Sequence, residues 1–160
     1  MRRSLCVLVF ALFAAVVVVP VFAQDNPFLG SWKLNVAKSK FEGAPAPKSL
    51  TRTITAEGSG AKYSFEGVSA DGNSYAYSFV TNYDGKEVPV TGKGTPGGAD
   101  SIALKRVNAH KVEGTLKKGG KEVGKVTAEV SKDGKVATVK MKGKSADGKD
   151  LSTDTVYDKQ

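Results

Sequence analysis

Two arginines are the side chains best suited to holding an anion, because their spacing places them among apolar residues. Beyond residue 23 the chain has 20 lysines but only two arginines, Arg52 and Arg106. In an extended strand each arginine shares a face with apolar side chains, which are Leu50, Ile54, Ile102 and Leu104. An inward guanidinium needs a partner, so we predict that both arginines anchor an anionic head group in a cavity. The alternatives are structural: closing a barrel end over Trp32, an internal salt bridge, or a strand-end position that points outward.

Aromatic residues cluster on two neighbouring predicted strands, where they could line such a cavity. Tyr63 and Phe65 share one face, and Tyr75, Tyr77 and Phe79 share another. Together these rings make a large apolar surface with hydroxyl groups at some of its tips, which suits the lining of a wet pocket. We predict that they are ligand-binding residues. There are two alternatives for these rings: they pack a dry core, or they face outward and form an exposed patch for a partner.

Side chains typical of catalytic and metal sites do not form a recognisable set. His110 is the one histidine, it follows Asn108 in a predicted turn, and no cysteine lies beyond Cys6. Acidic residues are scattered singly among lysines, and no nucleophile-elbow motif is present. We predict no catalytic residue, no metal ion and no cofactor, and an enzyme only if distant residues assemble a site in space. The lysine-rich turns lack a nucleic-acid-binding module, so no nucleic-acid partner is expected.

Short runs rich in Val, Thr, Ile, Tyr and Phe alternate with tight turns along residues 24–160. The turns are Asp71-Gly72, Asp84-Gly85, Gly119-Gly120, Asp133-Gly134 and Asp147-Gly148, and such pairs supply the positive φ angles of two-residue hairpins. They predict about ten strands, near residues 29–36, 49–57, 61–68, 74–81, 87–91, 101–107, 110–117, 121–131, 135–143 and 150–158. Strands in this up-and-down order leave no unpaired edges if the sheet closes on itself, so we predict an all-β antiparallel barrel. A two-sheet sandwich is the competing fold.

Two stretches interrupt this pattern. Residues 37–48 contain Gly43, Pro45 and Pro47 and are predicted to form a stiff loop. Residues 92–100 hold four glycines around Pro96 and are predicted to be the most flexible segment of the domain. This second stretch is either a long surface turn or a gate over the cavity.

The first 23 residues have the pattern of a cleavable secretion signal. Arg2 and Arg3 precede an apolar run over residues 5–19, and Val21-Phe22-Ala23 ends with small residues at the recognition positions. Cleavage would leave residues 24–160 as a single barrel domain, 137 of the 160 residues, and would lower the formal net charge from +8 to +6. We expect export to the periplasm or the extracellular space. An uncleaved anchor is the alternative, since the apolar segment is nearly long enough to span a bilayer.

The two ends of the predicted barrel resemble those of a known superfamily. Gly30-Ser31-Trp32 matches the Gly-any-Trp signature that opens lipocalins and fatty-acid-binding proteins, and the likeness extends to Phe28, Lys33 and Leu34. Residues 156–160 are similar to the end of the fatty-acid-binding branch. The resemblance implies a bacterial-type exported calycin barrel that Gly30 and Trp32 help to close, with Tyr157 as an inward hydroxyl.

The chain also departs from that branch in two places. Fatty-acid-binding proteins place a helical pair between their first two strands, and residues 37–48 are too few and too rich in proline to form one. They hold the fatty-acid carboxylate with an arginine two residues before the final tyrosine, and Thr155 stands there instead. The resemblance therefore supports the fold without supporting a fatty acid as the ligand.

These observations together predict an exported, soluble, lipocalin-like barrel, expected to be a monomer, that binds a small hydrophobic or amphipathic ligand. The predicted ligand-binding residues are Arg52, Arg106, Tyr63, Phe65, Tyr75, Tyr77, Phe79 and Tyr157. An outer-membrane barrel is excluded, because lysine and threonine occupy outward positions where a lipid-facing band needs apolar residues, and no transmembrane span is expected once the signal is removed. The alternative function is a β-module without a ligand, acting as a surface or protein-interaction domain.

Overall fold

A computed structural model describes residues 26–145 and 147–160, and the predicted signal segment, residues 1–23, lies outside them. The strands are β1 (Gly30–Glu42), β2 (Ser49–Glu57), β3 (Gly60–Val68), β4 (Ser74–Thr81), β5 (Asp84–Pro89), β6 (Thr91–Lys93), β7 (Ser101–Asn108), β8 (Lys111–Lys118), β9 (Lys121–Val130), β10 (Val136–Lys144) and β11 (Asp150–Lys159). They form one antiparallel sheet of eleven strands, which confirms the all-β prediction and is close to the ten strands expected. Within these residues, no helix has the length and apolar character needed to cross a membrane.

Strand pairing follows the sequence through most of the sheet. β1 to β4 are consecutive neighbours, β7 to β11 are consecutive neighbours, and β11 returns to pair with β1. In this closing ladder Trp32 lies opposite Lys159 and Leu34 lies opposite Tyr157. Pairing of the last strand with the first leaves β5 and β6 at the two edges. The sheet is therefore a nearly closed barrel rather than a two-sheet sandwich.

The gap in the barrel, called the seam below, is crossed by residues 84–93. The single strand predicted near residues 87–91 is in fact two: β5 pairs with β7, and β6 pairs with β4 at the opposite edge. The hairpin predicted at Asp84-Gly85 is wrong, because both residues belong to β5. Gly85 has a φ of 79° and lies at an irregularity in the pairing of β5 with β7. A glycine with positive φ serves a β-bulge as well as a hairpin turn.

β1 is longer than predicted and takes in the first half of the expected loop. Its ladder to β11 is interrupted after Asn35 and resumes at Lys40. Within the interruption the Ser39 hydroxyl donates to the Asn35 carbonyl at 2.7 Å and accepts from the Val156 backbone N–H at 2.9 Å. These bonds satisfy backbone groups that the irregular ladder leaves free. As a result residues 37–42 stay in the strand and only residues 43–48 form the loop.

Side chains alternate between the barrel interior and the outer surface. Phe28 and Trp32 are fully buried at one end, where the Trp32 indole Nε1 donates to the Phe28 carbonyl at 2.8 Å. Lys33, Lys62 and Lys105 are exposed, and each lies next to a buried residue on its strand. The end around Phe28 and Trp32, called the closed end below, is thus filled by side chains.

Three hairpin turns repeat one Ser-x-Asp-Gly arrangement, at residues 69–72, 131–134 and 145–148. In each turn the serine hydroxyl donates to the aspartate two residues later, and the glycine N–H donates to the serine carbonyl. The hydrogen bond from the serine is the largest cause that lowers the pKa of Asp71, Asp133 and Asp147. The ionised aspartates therefore help to hold these turns in shape.

Candidate ligand-binding site

The barrel contains a cavity of about 190 Å³. One wall is aromatic and comes from β3 and β4. The other is aliphatic, comes from β7 to β10, and consists of Ile102, Leu104, Val112, Leu116, Val126, Ala128, Val139 and Met141. Apart from tyrosine hydroxyls, the polar side chains of the lining are those of Arg52, Thr153 and Thr155. Apolar walls with a few convergent polar groups are typical of small-molecule sites.

Four of the predicted aromatic residues form the aromatic wall. Tyr63 lies opposite Phe79 and Phe65 lies opposite Tyr77 in the ladder between β3 and β4. The ring centroids of these pairs are 4.9 Å and 4.4 Å apart, with interplanar angles of 11° and 14°. Each stacked ring covers one face of its partner and leaves its own edge uncovered.

Tyr75, the fifth predicted ring, lies outside the cavity lining and borders an outer groove with Pro45 and Pro47. Its ring stacks on that of Tyr77 with the centroids 6.5 Å apart. Gly67 and Gly94 make room for it, since a Cβ added at either glycine would come within 2.6 Å of a Tyr75 side-chain atom. Tyr75 therefore extends the aromatic stack from the cavity to the surface without contacting the cavity itself.

Arg52 is a buried cation in the cavity wall, with 3% of its surface exposed. Its guanidinium carbon lies 4.6 Å from the Tyr157 ring centroid and 5.8 Å from that of Trp32. Its Nε and Nη2 atoms are enclosed and have no hydrogen-bond partner within the described part of the chain. Ion pairs among residues 26–145 and 147–160 join partly exposed side chains, and none of them includes Arg52. The neighbours of this charge are therefore aromatic rings rather than carboxylates.

Strand register explains why Arg52 points inward. It lies opposite Trp32 in the ladder between β1 and β2, and opposite Phe65 in the ladder between β2 and β3. Directly opposed residues of an antiparallel pair project from the same face. Because Trp32 and Phe65 both face the interior, Arg52 must face it as well.

Tyrosine hydroxyls of the lining are neutral at ordinary pH. Burial raises the pKa of Tyr157, although the Arg52 charge acts in the opposite direction. Burial also raises the pKa of Tyr77 well above its usual value, and the nearby Tyr157 and Tyr75 add to the rise. These hydroxyls are therefore hydrogen-bond donors and not negative charges.

Arg106, the second predicted anchor, is placed at the closed end and does not line the cavity. Its guanidinium carbon lies 4.3 Å from the Tyr83 ring centroid and 5.7 Å from that of Phe28. Nη2 donates to the Asn26 side-chain oxygen at 3.2 Å, and Nη1 donates to the Ala109 carbonyl at 3.3 Å. The structure thus does not bring the two arginines together in one site, and the surroundings of Arg106 are those of a residue that closes a barrel end.

Gly30 and Trp32, which the resemblance implies help to close the barrel, lie at the closed end and outside the cavity lining. Gly30 has a φ of 121°, and a Cβ added there would come within 2.8 Å of Lys159 Cε. The Lys159 Nζ atom in turn lies 5.1 Å from the Trp32 ring centroid. These contacts tie the first strand to the last.

Sequence analysis missed the aliphatic wall, Thr153 and Pro96. Two-residue alternation was the available signal for the aliphatic positions, but it separates inside from outside and does not show which inward residues border empty space. Pro96 belongs to the glycine-rich stretch, residues 92–100, which overlaps the end of β6 and contains a 3-10 turn at Pro96–Gly98. This turn is held by bonds from the Gly98 N–H to the Thr95 carbonyl and from the Thr95 hydroxyl to the Ala99 carbonyl.

His110 is not part of the cavity and lies with its Nδ1 atom 3.2 Å from the Val130 carbonyl. In the part of the chain that the structure describes, no group of three histidine, cysteine, aspartate or glutamate side chains is arranged to hold a metal ion. The chemistry of this site is therefore that of its rings, hydroxyls and one guanidinium.

Comparison with known proteins gives a structural likeness but no sequence relative. No family model matches the sequence, and no curated protein matches it. Fourteen chains of solved structures match the fold. One is the crystal structure of zebrafish ileal bile acid-binding protein complexed with cholic acid, with 15% sequence identity and a TM-score of 0.49 over 84% of this chain and 99% of that one.

Proposed function

We propose that this protein binds a small amphipathic molecule non-covalently inside its barrel, with the apolar body in the cavity and an anionic end beside Arg52. The observation that carries the proposal is the buried Arg52 guanidinium in the wall of an apolar cavity, whose Nε and Nη2 atoms have no hydrogen-bond partner among the described residues. An anion bound in the cavity would neutralise the Arg52 charge and accept hydrogen bonds from its guanidinium.

Energetics support this reading of Arg52. The penalty for removing a cation from water is several kcal/mol even after the protein relaxes. Contacts with aromatic faces return about 0.5–2 kcal/mol each. Two such contacts, with Tyr157 and Trp32, leave part of the penalty uncompensated. A bound carboxylate or similar group would supply a charge-assisted hydrogen bond in its place.

The remaining polar lining supports the same orientation of the ligand. Tyr157 and Thr155 lie on β11 in the cavity wall, and Tyr157 contacts Arg52. The Thr155 hydroxyl already donates to the Val139 carbonyl at 3.0 Å, so we propose the neutral Tyr157 hydroxyl as the donor to the anionic end of the ligand. The aliphatic wall and the ring edges would hold the apolar part of the ligand by burial. Because the cavity is formed within one chain, we propose a monomer as the binding unit.

We also propose that the protein is exported. The support for this is the basic start, apolar run and Val21-Phe22-Ala23 ending of residues 1–23. Mass spectrometry of the protein purified from its own host tests it directly. Cleavage after Ala23 gives a chain that begins at Gln24, and a full-length chain in the membrane fraction would contradict export of a free barrel.

Binding can be tested on the same purified protein. Native mass spectrometry followed by organic extraction should reveal a small bound molecule. Addition of an apolar anionic probe should change the fluorescence of Trp32, the single tryptophan, whose ring lies 5.8 Å from the Arg52 guanidinium carbon. No adduct together with unchanged fluorescence would favour the ligand-free β-module.

A further inference from the structure

We infer that the ligand is a compact aromatic monoanion of one or two rings, and this inference rests on the binding function proposed above. Three properties of the cavity point to this class: its volume, the electrostatics of its aromatic wall, and its single cation.

Volume limits the ligand to a compact body. An apolar cavity of about 150 Å³ accommodates benzene in a protein interior. The cavity in this barrel measures about 190 Å³, which adds room for a carboxylate or a second small ring. A long-chain acid such as palmitate has more than twice as many carbon atoms as benzene. Its chain would need the barrel to expand.

The aromatic wall favours an aromatic body over an aliphatic one of the same size. Tyr63 stacks on Phe79 and Phe65 stacks on Tyr77, so each ring covers one face of its partner and leaves the ring edges uncovered in the cavity lining. A ring edge carries the positive part of the aromatic quadrupole, which attracts the negative face of another ring. Such edge-to-face contacts correspond to about a two- to tenfold gain in affinity over apolar burial alone.

A single charge on the ligand matches a single cation in the lining. Among the residues that the structure describes, Arg52 is the one lysine or arginine in the cavity wall. Arg106 lies at the closed end, with hydrogen bonds to Asn26 and Ala109. A dianion would carry one charge into the apolar part of the cavity without a partner. The carboxylate of a monoanion can lie beside Arg52 while its ring lies against the edges of Tyr77 and Phe65.

Isothermal titration of the mature chain, residues 24–160, tests the inference with four acids: benzoate, 2-naphthoate, octanoate and palmitate. We expect 2-naphthoate to bind about two- to tenfold more tightly than octanoate, and palmitate to bind more weakly than both. Replacing one ring edge by an aliphatic side chain, Tyr77→Leu, should reduce the preference for 2-naphthoate over octanoate. Lys62→Met on the outer face of the adjacent strand is the control and should leave that preference unchanged.

Failure of this inference can be told apart from failure of the binding function. Tighter binding of palmitate or octanoate than of both aromatic acids would overturn the inference and leave the binding function standing. So would a preference for 2-naphthoate that survives in Tyr77→Leu. If none of the four acids binds and Trp32 fluorescence does not change, the binding function fails, and the inference fails with it.

Discussion

The Arg52 guanidinium carbon lies 4.6 Å from the centroid of the Tyr157 ring, so the buried cation of β2 rests against the tyrosine of the last strand. The two strands are not neighbours, since β1 runs between them in the sheet. The two side chains therefore meet on the inner side of β1, next to the cavity. It joins β11, the strand that closes the barrel on β1, to the guanidinium that is the charged group of the cavity lining among the described residues.

Arg52→Met should leave the ligand-free protein as stable as wild type or more stable by about 1 kcal/mol. Methionine keeps much of the apolar volume and removes the desolvation penalty of an unpaired charge, while the lost ring contacts offset part of that gain. Urea unfolding followed by Trp32 fluorescence measures the difference. Lys62→Met removes the same charge from the outer surface and serves as the matched control. Destabilisation of Arg52→Met by more than about 2 kcal/mol would assign the arginine a structural role instead.

Arg106→Met should lower the stability of the protein and leave its affinity for an anionic ligand nearly unchanged. The Arg106 guanidinium donates to Asn26 and Ala109 and contacts the Tyr83 ring at the closed end, so its loss should cost about 1–3 kcal/mol of unfolding free energy. Because Arg106 does not line the cavity, the affinity for 2-naphthoate should stay within about twofold of wild type, well under 1.4 kcal/mol. A selective loss of anion binding in a variant that folds normally would instead support the anchoring role predicted from sequence.

Gly92→Ala should open the seam. Gly92 has a φ of 114°, and an added Cβ would lie 2.2 Å from the Ala76 carbonyl oxygen on β4. The alanine should therefore weaken the pairing of β6 with β4 and cost about 1–3 kcal/mol. Gly119→Ala is the comparison, because Gly119 also has a positive φ of 55° but an added Cβ meets nothing within 4 Å. Equal losses in the two variants would mean that crowding against β4 has no effect.

Stability should fall in acid as the turn aspartates become protonated. Hydrogen bonds from Ser69, Ser131 and Ser145 lower the folded-state pKa values of Asp71, Asp133 and Asp147 below the unfolded value of about 3.9. Stabilisation is then fully present above the unfolded pKa and is lost as the pH falls through the folded pKa. Urea midpoints of wild type and of Asp133→Asn, measured from pH 7 down to pH 2, should converge toward the acid end. Parallel curves would contradict this role of Asp133.

Much of the barrel was predictable because its local signals agree. Two-residue alternation placed Arg52 and Ile54 on one face, and that face is the interior. Asp133-Gly134 and Asp147-Gly148 lie in hairpin turns, as their φ preference requires. Asp84-Gly85 carries the same local signal but lies in a bulged strand, because long-range pairing with β7 decides its use. An Asp-Gly pair predicts a positive φ at the glycine, but it does not predict with which strand the flanking residues pair.

The sequence predicted which side chains point inward, but not where along the barrel axis each of them lies. Arg52 and Arg106 have the same alternation with apolar residues, yet one lines the cavity and the other lies at the closed end. Alternation reports which face a side chain occupies, whereas position along the barrel axis depends on register across several strands. Tyr75 and Tyr77 differ for the same reason: they share a face, and only Tyr77 reaches the cavity.

The affinities of wild type and Arg52→Met for 2-naphthoate and for the neutral 2-naphthalenemethanol show whether Arg52 binds the anionic end of a ligand. Both probes have the same ring system, so the difference between them isolates the charge. We expect Arg52→Met to lower the affinity for the anion by about tenfold or more, which is at least about 1.4 kcal/mol, and to change that for the alcohol by less than about twofold. Equal losses for the two probes, or no loss for the anion, would contradict it.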